Sequence, residues 1–89
     1  MITAQQMRAA RALAGIDQKT LAQRAGVSLP TIQRMEASDG VVRGVVDTLV
    51  KVIQALEESG VVLIGDNQTS GAGGRGVRLR EPPGGGQAG

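Results

Sequence analysis

The stretch Gln18–Glu36, QKTLAQRAGVSLPTIQRME, decides how this chain is read. Leu21, Ala25, Val27, Ile32 and Met35 are spaced so that two short helices, broken at Ala25-Gly26-Val27, bury one side together. Asp17 stands where the first of these, Gln18 to Ala25, needs an N-cap, and its charge suits the positive end of the helix dipole. Gly26 stops that helix, Val27 tucks into the angle, and Ser28 caps a second helix from Leu29 to about Ala37. Pro30 falls in its first turn, where the missing N–H leaves no bond unmade. The outer face of this second helix, Leu29 to Arg34, is left free to touch something else.

Upstream, Thr3-Ala4-Gln5-Gln6 has capping-box spacing for a helix over Ala4 to Ala14, with Ile2 and Met7 as its hydrophobic staple. Met7, Ala10, Leu13 and Ala14 form the expected inward stripe, and Gly15 ends the helix. Downstream, Ser38 to Gly44 reads as a loop and Val45 to Ser59 as a fourth helix, stopped by Gly60. Val45, Leu49, Val52, Ile53 and Leu56 face its core. Val46 and Val50 widen that stripe into either a broad buried face or a face for a partner.

Past Gly60 the period changes. Val61-Val62-Leu63-Ile64 reads as a strand, Asp66 to Gly76 as a loose Gly-rich loop, and Val77-Arg78-Leu79-Arg80 as a second strand of alternating apolar and basic residues. A lone two-stranded hairpin is marginal in water. The strands must lie against the helices or pair with the same hairpin of a second chain. Dimerisation through Val61, Val62, Leu63, Ile64, Val77 and Leu79, aided by Val46 and Val50, is the favoured expectation. The organisation expected is therefore mainly α: a helical domain over 1–60, a hairpin over 61–80 and a disordered tail over 81–89.

The chain has 89 residues and no Phe, Tyr or Trp, so a single small core must come from Leu, Ile, Val, Met and Ala. Such a core gains from self-association. With no Cys and no His, thiolate and imidazole metal sites, disulfides, thiol nucleophiles and the commonest general base are all absent. No nucleophile–base pair is offered, and the glycines at 71–76 lack the following Lys-Ser/Thr of a phosphate-cradling loop. No enzyme, catalytic residue, metal or cofactor is expected. No apolar run is long enough to cross a bilayer, and no signal sequence opens the chain, so a cytoplasmic protein is expected, away from membranes. The formal net charge is only +2, yet its distribution is uneven. Arg8, Arg11, Lys19, Arg24 and Arg34 outweigh Asp17 and Glu36 in residues 1–38. Asp39, Asp47, Glu57 and Glu58 outweigh Arg43 and Lys51 in residues 39–65. The basic excess sits with the two-helix unit, where a polyanion would bind.

Leu21-Ala22, Ala25-Gly26-Val27, Ile32 and Met35-Glu36 together resemble the Cro/lambda-repressor-like, XRE-type helix-turn-helix family, over about Thr3 to Leu56. Ala22 fits because a larger side chain would separate the two helices, and Gly26 because the turn needs a positive φ. The resemblance implies a four-helix lambda-repressor-like DNA-binding domain, with an ion pair between Arg11 and Glu36 joining helix 1 to the end of the recognition helix. It also implies that the second motif helix enters the major groove of double-stranded DNA.

On that basis Ser28, Leu29, Pro30, Thr31, Gln33 and Arg34 would meet bases. Arg34 is the best reader, because its planar fork matches guanine O6 and N7. Leu29 and Pro30 depart from the polar pair many members carry there and offer only apolar contact. Gln18 corresponds to the family's phosphate-clamping glutamine, and Lys19, Arg24 and Arg43 are further phosphate candidates. The implied function is a nucleoid-associated transcriptional regulator that binds a palindromic operator as a homodimer. The alternative is an antitoxin or adaptor whose C-terminal segment grips a partner protein.

Overall fold

Among the described residues, four helices and one hairpin follow each other along the chain: α1 Ala4–Ala14, α2 Gln18–Ala25, α3 Leu29–Ala37, α4 Val46–Glu58, β1 Val61–Ile64 and β2 Gly76–Leu79. The structure is a computed structural model that describes residues 2–42, 44–65 and 75–80. Arg43, most of the expected Gly-rich loop (66–74) and the expected disordered tail (81–89) lie outside the described residues.

Local chemistry sets the first three helices. Thr3 Oγ1 accepts from the Gln6 N–H at 3.0 Å, while Gln6 Oε1 accepts from the Thr3 N–H at 2.9 Å, completing the capping box. Asp17 Oδ1 accepts from the Thr20 N–H at 2.7 Å, and Ser28 Oγ from the Thr31 N–H at 3.2 Å. Gly26 closes α2 at φ 71°, in the left-handed region. These helices begin and end where the sequence places them.

Further along, three expectations need correction. Val45 is the N-cap of α4 rather than a core position; its ψ of 133° lies outside the helix, so helical period does not aim its side chain, which is 70% exposed. Leu13, placed on the inward stripe, is 41% exposed because it lies off the row shared by Met7, Ala10 and Ala14. The second strand begins at Gly76 and ends at Leu79; Arg80 N–H still donates to Gly60 O beyond the strand end.

The core gathers Met7 and Ala10 of α1, Leu21 and Ala22 of α2, Ile32 and Met35 of α3, and Leu49, Val52 and Leu56 of α4. Two further layers seal it. At one edge, the N-terminal segment pairs with the α3–α4 connection: Val42 N–H donates to Ile2 O at 2.9 Å, Ala4 N–H to Gly40 O at 3.0 Å, and Thr3 bridges Val41. What reads as a plain loop in the sequence thus buries Ile2 and Val42, both nearly inaccessible to solvent.

At another edge lies the antiparallel hairpin, in register Val61↔Leu79, Val62↔Arg78, Leu63↔Val77 and Ile64↔Gly76. Of its two expected homes, the hairpin occupies the first: β1 packs on α1 and α4, and β2 on α1. Val61 is fully buried within its own chain, and Leu63 and Val77 pack against the same core. The Gln6 side chain reaches across, its Nε2 donating to Ile64 O at 2.9 Å and Gly76 O at 3.1 Å. One buried amide therefore caps α1 and closes the last rung of the ladder.

Candidate nucleic-acid interface

The outer side of α3 is held from behind by its last turn. Glu36 is buried, and the Arg11 guanidinium meets it as a fork: Nε donates to Oε2 at 2.9 Å and Nη2 to Oε1 at 3.0 Å. Gln18 Nε2 adds a bond to Oε1 at 3.1 Å, and Arg8 Nη1 donates to the Glu36 carbonyl oxygen. The hydrogen bond to Glu36 holds the Arg11 pKa above its ordinary value, against the opposing cost of partial burial. Helices α1, α2 and α3 thus converge on one carboxylate, the geometry the Arg11–Glu36 expectation describes. The Arg8 contact has no sequence signal, because a bond to a backbone oxygen leaves no mark in side-chain pattern.

With Ile32, Met35 and Glu36 buried, the opposite side of α3 faces solvent. Ser28, Thr31 and Arg34 stand three residues apart and form one polar row: the two hydroxyl oxygens are 2.7 Å apart, and Arg34 Nη2 donates to Thr31 Oγ1 at 3.5 Å. Pro30, Gln33 and Ala37 are exposed beside it, and Arg34 is exposed within it. The exposure of Ala37 has no sequence signal, since a small apolar residue carries no chemical mark of its surroundings. Leu29, another base-contact candidate, is half-buried and packs against the core with part of its side chain, because its place on the helix wheel neighbours Glu36 and Ile32. Beside the row lies an open groove of about 630 Å³, walled by Thr31, Arg34 and Met35 on one side and Val45, Thr48 and Leu49 on the other.

The phosphate candidates fare differently. Lys19 is exposed at the start of α2. The side-chain amide of Gln18 is engaged with Glu36, which leaves its backbone N–H, at the open N-terminus of α2, as its freer donor. An anion arriving there also meets Asp17, whose carboxyl is held below its ordinary pKa by the hydrogen bonds from Thr20. Arg24 Nη1 donates to Ser59 Oγ at 3.0 Å, beyond the C-terminus of α4. Helix α4 has 13 residues, which puts that end about 20 Å from the end that walls the groove. Arg43 lies outside the described residues.

A rigid helix with one polar, cationic side outward, backed by two others, is the shape that fits a major groove. Among the described residues no helix is long and apolar enough to cross a membrane. A search of curated proteins finds no match to this chain. A family model described as helix-turn-helix matches residues 7–61, from Met7 in α1 to Val61 in β1, more than half of the chain. The chain therefore belongs to the Cro/lambda-repressor-like, XRE-type helix-turn-helix family and carries the DNA-binding domain of a transcription regulator.

Proposed function

We propose that this chain regulates transcription by reading a palindromic operator as a homodimer, in the cytoplasm, on the nucleoid. The observation that carries the reading is the Ser28–Thr31–Arg34 row on a helix fixed from behind by Glu36. Arg34 reads a guanine through its fork, Gln33 and Thr31 add hydrogen bonds to bases or phosphates, and Pro30 offers an apolar edge to a thymine methyl. Lys19 and the first amides of α2 hold a phosphate and set the register. One such module discriminates weakly, since each mismatched pair is worth about 1–3 kcal/mol. Two copies on a two-fold axis multiply that discrimination.

Selection of binding sites from a randomised duplex pool tests the proposal. The expected product is an inverted repeat with half-site centres about 34–36 Å apart, one helical turn. A pool that stays random after several rounds would overturn sequence-specific reading. A single unpaired half-site would overturn the homodimer. A protein of different sequence that co-purifies in fixed ratio would favour the antitoxin or adaptor reading instead.

A further inference from the structure

Four of the five large apolar side chains exposed among the described residues fall within residues 41–50: Val41, Val45, Val46 and Val50, with Leu13 the exception. Val46 and Val50 are 70% and 43% exposed and stand one turn apart on α4, with half-buried Ile53 continuing the row. Val45 and Val41, in the α3–α4 connection, line the groove beside Arg34. This row is separate from the core row Leu49, Val52, Ala55 and Leu56. The hairpin, by contrast, has turned Val61, Leu63 and Val77 toward its own helices.

We infer that the valine face of α4 is where two copies of this chain meet, with their α4 helices antiparallel across a two-fold axis. This rests on the homodimer reading above and names its interface. A two-fold interface must be complementary to itself, and the charges beside the valines meet that condition. Lys51 Nζ lies 3.3 Å from Asp47 Oδ2, both side chains largely exposed, on one flank of the Val46–Val50 row. An antiparallel pair crossing midway between residues 46 and 50 sets Val46 against Val50 of the second copy. The same crossing sets Asp47 against Lys51 of the second copy, on the same flank, and the reverse. No like charges oppose each other on that flank. An aromatic-free core in a chain of 89 residues has reason to bury these valines as well.

The face offers only a few side chains over two turns of one helix, far fewer than the roughly 20–30 residues a side of a stable interface. The free dimer is accordingly weak, and operator DNA strengthens it.

The test uses the full chain. Sedimentation equilibrium over a micromolar to millimolar series should show a monomer–dimer equilibrium. Val46→Asp combined with Val50→Asp should weaken it about a hundredfold, by opposing like charges, without changing the helical circular dichroism. The chain has no cysteine, so Val46→Cys and Val50→Cys each introduce a single thiol. Oxidising an equal mixture of the two should give more mixed disulfide dimer than like-with-like dimer. A hairpin variant, Val62→Cys, should remain uncrosslinked. A dimer that survives the double aspartate substitution, or one crosslinked through residue 62, overturns this interface and leaves the homodimer standing. A chain that stays monomeric both free and on an inverted-repeat duplex overturns both.

Discussion

Arg34 and Glu36 stand two residues apart on α3, about 200° apart around the helix, and the structure uses their charges in opposite ways. Glu36 is 4% exposed and takes three donors at its carboxylate, from Arg11 and Gln18, which tie α1 and α2 to the end of α3. Arg34 is exposed and bonds only Thr31 among the described residues, at 3.5 Å. On the inner side a charge is fully partnered and the backbone it belongs to is fixed. On the outer side a charge stays exposed to solvent. A reading helix needs both, because base recognition by a side-chain fork works only if the helix beneath it holds its position.

The largest effect should come from breaking the inner side. Glu36→Ala leaves the Arg11 fork without its carboxylate and should cost about 3 kcal/mol of folding stability in urea unfolding, at the low end for a buried pair because Arg11 retains some water. Arg11→Lys should recover little of that loss, since an ammonium cannot bind both oxygens as a fork. On the outer side, Arg34→Ala should leave stability unchanged yet cost about 1–3 kcal/mol of affinity for the selected operator, measured by fluorescence anisotropy. Equal loss on unrelated DNA would demote Arg34 from a base reader to a phosphate contact.

The hairpin provides a control that touches neither side of α3. Gln6→Ala should cost about 1–2 kcal/mol and shorten the hydrogen-exchange protection of Val62 and Arg78 before that of α3. The smallest effect concerns Asp17. Its pKa is lowered in the folded state, so its stabilising contribution is complete above about pH 4 and fades as pH falls through the lowered value. Thermal melts of Asp17→Asn should lack that part of the acid dependence while keeping a side-chain acceptor for the Thr20 N–H.

Much of the inner side is legible in sequence because its signals are short-range. Thr3, Asp17 and Ser28 each cap the residue three positions on, and Gly15 and Gly26 each close the helix they follow. The buried stripe of α3 follows from helical period alone. The outer side is only partly legible. Pro30, Gln33 and Arg34 are exposed as expected, but Leu29 turns toward the core and Arg24 toward the end of α4. Those two depend on what neighbouring elements leave vacant, which no spacing along the chain records.

The sequence by itself determined the bounds, caps and stops of α1, α2 and α3, the presence of α4 and of both hairpin strands, and the pairing of Arg11 with Glu36. Each rests on an interaction within a few residues, on a period, or on a resemblance spanning the whole unit. Only the tertiary structure decided that Gln6 closes the hairpin 58 residues downstream, that Gly40 and Val42 pair with the N-terminal segment, and that the hairpin's apolar side belongs to its own core. It also decided which valines of α4 stay bare. The reason is physical: a side chain's type says what it can bond or bury, but its partner depends on which surfaces packing brings within reach.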